Sequence, residues 1–378
     1  MMKPFFRHSI FKPIALMGVC LLVAACSGPS RPKPADIPAV QVLQDIRLKW
    51  TADVGAIDYP LVLNVQSNRV AFANAKGQVS LLDAQTGKDL WRVALNAQVS
   101  AGVGTDGQQV ALVTRDNQLL ALKDGQVMWR QTLPAQSFTA PLVAGARVFV
   151  LTADRVVMAF DGASGRPLWI QQRTGEPLVL KQAGVLVAFK NTLLVGLSGR
   201  LVALNPDTGV VRWETAVATP RGVNDMERLV DMVAPASRAG DVVCVRAFQS
   251  QIGCVNAERG QGLWTRVANG ERGVSGNNQA LIAALSNGVV QAWNRANGER
   301  LWETERLKYR SLSAPLVTPR GVLVADNNGW LYLLSLADGA LLNRVKLEGE
   351  ELATAPVWVA DRYVVVTREG RVTGLQIP

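Results

Sequence analysis

The most informative stretch of this sequence is DAQTGKDLW, at residues 83–91, because its pattern returns along the chain. The spacing Asp/Asn-x-x-x-Gly-x-x-x-Trp recurs at residues 161–169, 205–213, 256–264 and 294–302. An Asx side chain can bond its own backbone two residues on, and glycine adopts the positive φ that closes such a turn. Because β-type apolar runs flank each turn, the pattern predicts two strands joined by a tight turn.

Tryptophan repeats along the chain with a period of about 40 residues. It marks seven consecutive units, at Trp50, Trp91, Trp129, Trp169, Trp213, Trp264 and Trp302. In each unit a third strand lies ahead of a hairpin turn such as Asn287-Gly288, and a fourth often follows Ala-Pro. Each unit therefore contains four short strands. Four strands per unit is typical of a β-propeller blade, and no amphipathic helical pattern is sustained. We expect the tryptophans to pack between neighbouring blades, as large aromatic rings commonly do.

The count of units predicts an all-β fold, an eight-bladed β-propeller of four-stranded antiparallel blades. Seven units are complete from the stretch after Trp50 to Asn343, and the last of them carries Asn343 where tryptophan is due. Residues 351–375 supply three more strands, while residues 46–50 form an isolated strand near the other end of the chain. Pairing these two pieces would close the ring and remove exposed edges. The N-terminal strand is therefore predicted to complete the C-terminal blade.

The N-terminal residues have the composition of a targeting segment. Residues 1–25 carry three basic and no acidic side chains, and their apolar run is too short to span a membrane. Residues 22–26 end in Cys26 and resemble the bacterial lipobox. We expect a signal peptide at 1–25, a lipidated Cys26 that opens a flexible proline-rich tether at 26–40, and the propeller at 41–378. Ser27 after that cysteine implies, by the same resemblance, sorting to the outer membrane.

Composition restricts the chemistry that this chain can perform. Hydrophobic residues make up 48% of the chain, which is enough for a large core. The single histidine, His8, lies in the predicted signal peptide, so histidine-dependent triads and metal centres are excluded from the remainder. The formal charge is +10, yet no run of Lys or Arg exceeds two residues, and a secreted chain does not meet nucleic acid.

The form Asx-x-x-Thr-Gly-x-x-x-Trp, clearest at residues 83–91 and 205–213, resembles the repeat of pyrroloquinoline-quinone (PQQ) type propellers. Quinoprotein alcohol and glucose dehydrogenases share this repeat with the BamB family of lipoproteins in the outer-membrane β-barrel assembly machinery. The resemblance extends over residues 46–378. It implies a fold more strongly than a function.

Three functions are compatible with that repeat. A PQQ-dependent dehydrogenase would need a calcium site and, in many members, adjacent cysteines, and no cysteine here is adjacent to another. A propeller that binds glycan or cell-wall material is a further alternative. The lipobox and the absence of a catalytic set favour the BamB family, which implies a non-catalytic periplasmic scaffold without cofactor or metal. The implied partners are the POTRA domains of BamA and other assembly subunits, with this chain as a monomer within the complex.

Two loops carry the residues that the resemblance assigns to BamA binding. The interval from Trp213 to Trp264 is 51 residues, longer than its neighbours, and insertions of this kind commonly map to a binding face. Matching the family's contact loops points to one set of six residues: Arg173, Glu176, Glu227, Arg228, Leu229 and Asp231. Strand addition at an outer edge strand, such as the one that contains Trp213, is an alternative binding mode.

Two cysteines flank a predicted turn near Gln249 and Ser250. If the loop is centred on Gln249, Cys244 and Cys254 lie directly opposite each other on the same face of the hairpin. An oxidising periplasm permits a disulfide there, although cross-strand Cβ atoms lie somewhat wider apart than a relaxed disulfide prefers. Either a disulfide or two small buried thiols is compatible with this sequence.

Overall fold

The computed structural model describes Met2 and residues 32–37, 42–173, 178–225, 227–349 and 351–378. Cys26 and Glu176 therefore lie outside the described residues. The chain divides into two compact units, residues 1–34 and 35–378. In the first unit Met2 and residues 32–34 are exposed, and the second unit contains the strands. No helix in these ranges is long and apolar enough to cross a membrane.

The described residues form thirty-two strands, β1 to β32 in chain order, in eight four-stranded antiparallel sheets. These sheets are the blades of an eight-bladed β-propeller, which confirms the predicted fold. Blades 1 to 4 contain, in turn, β2 (Val65–Gln66), β3 (Arg69–Ala73), β4 (Gln78–Asp83), β5 (Asp89–Ala94); β6 (Val99–Thr105), β7 (Gln109–Thr114), β8 (Gln118–Lys123), β9 (Gln126–Thr132); β10 (Leu142–Ala144), β11 (Arg147–Leu151), β12 (Val156–Asp161), β13 (Pro167–Gln172); β14 (Leu186–Phe189), β15 (Thr192–Leu197), β16 (Arg200–Leu204), β17 (Val211–Ala216).

Blades 5 to 8 follow the same order, except that the first strand of the chain belongs to the last blade. They contain, in turn, β18 (Met232–Ala239), β19 (Val242–Ala247), β20 (Gln251–Asn256), β21 (Gln261–Val267); β22 (Ser275–Gly276), β23 (Ala280–Ala284), β24 (Val290–Asn294), β25 (Arg300–Thr304); β26 (Leu316–Thr318), β27 (Gly321–Ala325), β28 (Trp330–Leu334), β29 (Leu341–Lys346); β30 (Val357–Val359), β31 (Arg362–Val366), β32 (Arg371–Gln376) and β1 (Arg47–Asp53).

The ring is closed by the two ends of the propeller sequence. Strand β1 pairs antiparallel with β32, with Trp50 opposite Gly374 and Thr51 opposite Thr373. It is the outer strand of blade 8, as the sequence predicts. At six of the eight blade boundaries the first strands of neighbouring blades contact each other, and at the other two the second strand of one blade contacts the first strand of the next. The first strands are therefore the inner strands, and the fourth strands form the circumference.

The alternation of strand direction gives the ring two distinct faces. The connections from one blade's outer strand to the next blade's inner strand lie on the same side as the turns between second and third strands. We name this side the connection face. The Asx-Gly turns, which join third and outer strands, lie on the opposite face.

The repeated tryptophan and the repeated glycine contact each other across blade boundaries. Trp169 of blade 3 packs on the turn of blade 4, where Gly209 has φ +74° and a Cβ would lie 2.6 Å from the indole ring. The Trp169 indole N–H also donates to the Pro206 carbonyl at 2.9 Å. The same donation to the next blade is made by Trp50, Trp129, Trp213, Trp264 and Trp302. Trp91 packs more loosely, since a Cβ at Gly125 would lie 3.7 Å from its ring.

A β-bulge beside each of these aromatic residues helps to aim it at the neighbouring blade. In blade 4, for example, Ala203 pairs with Trp213, and the register shifts at the next residue. The same shift occurs after the corresponding pair in the other blades built from consecutive strands. Bulges bend a strand and increase its local twist, which is consistent with this role.

Asn343 replaces tryptophan at the boundary where the ring is closed. The outer strand of blade 8 comes from the N-terminal side of the chain, so that blade has no turn from its third to its outer strand. A tryptophan in blade 7 would therefore have no turn glycine to contact. Instead, the buried Asn343 side chain donates to the Gln44 carbonyl at 2.7 Å, just before β1.

Candidate functional site

Two long connections on the connection face carry the residues that the sequence assigns to partner binding. The first joins β13 to β14 between blades 3 and 4, and the second joins β17 to β18 between blades 4 and 5. Strand β18 begins at Met232, so Ala234 and Pro235 lie inside the strand, whereas the sequence predicts strands that follow Ala-Pro. The longer inter-tryptophan interval thus includes both a connection and a lengthened inner strand.

Arg173 opens the first connection and is tied to blade 4. Its guanidinium forms an ion pair with Glu214 of β17, and Glu214 also pairs with Arg200 of β16. The Arg173 side chain remains 30% exposed, so part of it is accessible from the connection face. The carboxylate between two arginines fixes the start of the connection to the adjacent blade.

The second connection reaches its exposed tip at residues 221–225 and 227–228. The Asn224 side-chain oxygen accepts the Glu227 N–H at 2.9 Å, and the Arg228 N–H donates to the Asn224 carbonyl at 3.1 Å. The Glu227 carboxylate turns back to accept the Val223 N–H at 2.9 Å. These bonds leave the Val223 side chain 97% exposed, with Glu227 exposed and Arg228 half-buried.

The family resemblance points to Leu229 as the apolar contact residue and not to Val223. Leu229 is 7% exposed and belongs to the core, so little of its side chain is accessible in the isolated chain. The physical reason is position, since Leu229 lies three residues before β18 and packs as the chain enters blade 5. The signal that could have found Val223 is a lone apolar residue between Gly222 and Asn224, two turn formers.

Asp231 is also mostly internal, because it joins the two connections. Its carboxylate accepts the Leu180 N–H at 3.0 Å and pairs with Arg155 at 3.6 Å. Burial raises the pKa of Asp231, while the Leu180 N–H and the Arg155 guanidinium act in the opposite direction. Asp231 therefore positions the surface and offers little of its own side chain to a partner.

Arg155 holds three segments of the connection face together. It lies in the turn between β11 and β12, with only 9% of its side chain exposed. In addition to Asp231, it donates to the Ser198 hydroxyl at 2.8 Å and to the Leu178 carbonyl at 3.1 Å. Arg155, Ser198 and Asp231 line a cavity of about 60 Å³. Blade 3, blade 4 and both connections are thus linked through one guanidinium.

Backbone contacts reinforce this link. The Ala234 N–H donates to the Ala183 carbonyl at 2.9 Å, and Gly184 forms an antiparallel bridge with Val233. The ends of the two connections therefore form one continuous surface. Of the sequence-predicted residues, Arg173, Glu227 and Arg228 are accessible on this face, whereas Leu229 and Asp231 support it from within.

Blade 5, which follows the second connection, contains a disulfide. Cys244 of β19 and Cys254 of β20 pair directly in the register that the sequence suggested, with Cα atoms 4.0 Å apart. Their sulfur atoms are bonded, and both residues are buried. The bond joins the second and third strands of the blade into which Leu229 and Asp231 lead.

A central cavity of about 530 Å³ opens among the connections. Its Glu351 carboxylate pairs with Arg368 at 3.0 Å and Arg272 at 3.7 Å, and the Asp326 carboxylate pairs with Arg310 at 2.9 Å. Among the residues that the structure describes, no three His, Cys, Asp or Glu side chains are grouped to hold a metal ion. Because its acids are engaged by arginines, this donor set does not fit the calcium and quinone site of the dehydrogenase alternative.

Sequence comparison identifies close counterparts of the whole chain. A family model described as "Outer membrane protein assembly factor BamB" matches residues 75–304 and 286–377. The outer membrane protein assembly factor BamB of Burkholderia pseudomallei is 33% identical over 370 residues, which cover 96% of this chain and 97% of that protein.

Solved structures agree with the fold. The crystal structure of BamB from Moraxella catarrhalis matches with a TM-score of 0.80 at 23% identity, covering 88% of this chain and 100% of that chain. The quinohemoprotein alcohol dehydrogenase of Comamonas testosteroni matches with a TM-score of 0.67 at 14% identity, covering 89% and 77%. At such identities, these two likenesses show the propeller fold alone.

Proposed function

We propose that this chain, which belongs to the BamB family of outer membrane protein assembly factors, acts as a non-catalytic scaffold on the periplasmic side of the outer membrane. Within that role it would hold a subunit of the barrel assembly machinery through the connection face. The main support for this proposal is the continuous surface that the two connections form. Its exposed tip contains Val223, and the buried Arg155–Asp231 pair holds the surface in place from below. Such surfaces suit recognition of another polypeptide.

The proposed partner is the POTRA region of BamA, the barrel-forming subunit. Val223 would supply an apolar anchor, and Arg173, Glu227 and Arg228 would supply the polar surroundings of the contact. An apolar centre with a charged rim is the usual anatomy of a protein interface. Leu229 and Asp231 would contribute by fixing the geometry of the tip. Glu176 remains a proposed contact because it follows Arg173 in the first connection.

Attachment to the outer membrane is proposed to occur through a lipid on Cys26. The lipobox before Cys26 and the proline-rich segment after it support this assignment. A single acyl chain anchors weakly, so stable attachment requires the several chains of a bacterial lipoprotein or a second contact through the complex.

Co-purification from membranes tests this function directly. The tagged full chain is extracted from the envelope of its own host in mild detergent, and co-purifying proteins are identified by mass spectrometry. We expect BamA and further assembly subunits in the complex. Recovery of the chain without any assembly subunit would contradict the proposal, and quinone-dependent dye reduction by the purified chain would favour the dehydrogenase instead.

A further inference from the structure

Residues 35–37, beyond the first compact unit, contact the ring where blade 6 leads into blade 7. The Ala35 N–H donates to the Lys308 carbonyl at 2.9 Å, and the Ala35 carbonyl accepts a bond from Arg310 at 2.9 Å. Both backbone polar groups of Ala35 are thereby satisfied. The Ile37 side chain is partly buried against an apolar cluster that includes Leu307.

The arginine that binds Ala35 is held in place by blade 7. One Nη of Arg310 donates to the Asp326 carboxylate at 2.9 Å, and the other donates to Ala35. Asp326 has a fully buried side chain and also accepts the Tyr332 hydroxyl at 2.7 Å and the Trp330 N–H at 3.0 Å. Because the guanidinium is already oriented by a satisfied carboxylate, the ring presents a prepared donor to the segment.

The sequence of the segment suits docking at this place. Ala35, Asp36 and Ile37 lie between Pro34 and Pro38, so they are the residues of this stretch that retain a backbone N–H. The flanking prolines restrict φ, which lowers the conformational entropy that the chain loses when it binds. A short proline-flanked segment can therefore dock through one residue's backbone and one apolar side chain.

We infer that the ring has a binding site for its own N-terminal segment, at which residues 35–37 form a clasp. The site consists of the Lys308 carbonyl, the Arg310 guanidinium and the apolar surface around Leu307. Lys308 and Arg310 belong to the connection between β25 and β26, so the clasp lies on the connection face. The clasp lies within the proline-rich segment that the sequence predicts as a tether at 26–40.

Hydrogen exchange at the Ala35 amide tests the clasp. The full chain in detergent is labelled with deuterium and fragmented so that exchange is resolved at single residues. We expect the Ala35 N–H to exchange at least about tenfold more slowly than an unstructured amide, because it donates to Lys308. Ile37→Ser should remove the apolar contact and accelerate that exchange at least about fivefold.

Two further variants make the test specific. Asp36→Ser changes an exposed side chain of the same segment and should leave the rate within about twofold. Arg310→Met should accelerate exchange at Ala35 as Ile37→Ser does. If Arg310→Met disturbs the ring because Asp326 loses its partner, Ile37→Ser still tests the contact, since it changes only the N-terminal segment. Neither Asp36→Ser nor Ile37→Ser alters the residues that set the intrinsic rate at Ala35.

An unprotected Ala35 amide in the unsubstituted chain would overturn the clasp, as would a rate that Ile37→Ser leaves unchanged. The measurement uses the isolated chain and needs no partner. A negative exchange result would therefore overturn the clasp without affecting the proposed function. Failure of co-purification would contradict the proposed function without affecting the clasp.

Discussion

Arg155, in a turn of blade 3, and Asp231, at the end of the connection into blade 5, form a largely buried ion pair with an N···O distance of 3.6 Å. The two residues are separated by blade 4 in the sequence. Their contact, together with the Asp231 bond to the Leu180 N–H at 3.0 Å, makes the connection face one rigid surface. Rigidity of this kind lowers the entropic cost of binding a partner.

A double-mutant cycle measures the strength of this ion pair. Arg155→Met leaves a buried carboxylate without its cation, and Asp231→Asn leaves a buried cation without its carboxylate, so each should cost about 2–3 kcal/mol in unfolding free energy. The double variant should cost less than the sum by about 1–2 kcal/mol. Urea unfolding supplies all four values.

The matched control is the more exposed pair of Arg147 and Asp207, 2.6 Å apart on the opposite face. The cycle of Arg147→Met with Asp207→Asn should give a coupling below about 1 kcal/mol. Equal coupling energies for the two pairs would show that burial does not strengthen the Arg155–Asp231 contact.

The pH dependence of stability reports on Asp231 separately. Burial raises the pKa of Asp231 in the folded chain, so the folded state binds this proton more tightly than the unfolded state. Its contribution to stability is therefore complete below the unfolded value of about 3.9 and is lost as the pH rises through the folded pKa. The stability of the unsubstituted chain relative to Asp231→Asn should fall across that interval. A difference that rises with pH would indicate that Arg155 dominates and lowers this pKa.

The glycine of the repeat can be tested against a glycine without a tryptophan. Gly209 and Gly240 both have positive φ, at +74° and +55°, but only Gly209 faces an indole ring, whereas nothing lies within 4 Å of a Cβ at Gly240. Gly240→Ala should cost about 1 kcal/mol from backbone strain. Gly209→Ala should cost about 2–4 kcal/mol, because Trp169 must also move away from blade 4. Equal shifts of the urea midpoint would remove the packing role assigned to this glycine.

The disulfide of blade 5 predicts both a chemical and a stability result. In denaturant without reductant, peptide mapping should find neither Cys244 nor Cys254 alkylated, and after reduction both should react. Replacing both by alanine should cost about 2–3 kcal/mol, since the bond closes a short loop in the unfolded chain. Alkylation of either cysteine before reduction would establish two free thiols.

Much of the fold was predictable because its determinants are local and repeated. The Asx-Gly turn and the tryptophan mark each unit, and closure follows from counting strands at the two ends. The role of Asn343 was not predictable, because its side chain bonds the Gln44 carbonyl, which lies 299 residues away in the sequence.

The candidate surface was predictable only in outline. The long interval after Trp213 located the second connection, and the pairing of Cys244 with Cys254 followed from the centre of one turn. Burial of Leu229 could not be read from a loop without periodicity. Arg155 lies in an ordinary hairpin turn, and its contacts with Ser198 and Asp231 come from distant parts of the chain. The clasp at Ala35 depends on an arginine 275 residues away.

Binding of BamA by the connection face is tested most directly by placing the same substitution at two exposed valines, one on each face. Val223 is 97% exposed at the tip of the second connection, and Val210 is 62% exposed in an Asx-Gly turn of blade 4. The affinity of the full chain for the POTRA region of BamA is measured for Val223→Asp and Val210→Asp. We expect at least about tenfold weaker binding for Val223→Asp, equivalent to about 1.4 kcal/mol, and unchanged binding for Val210→Asp. Equal affinities for both variants, or no binding by the unsubstituted chain, would contradict this expectation.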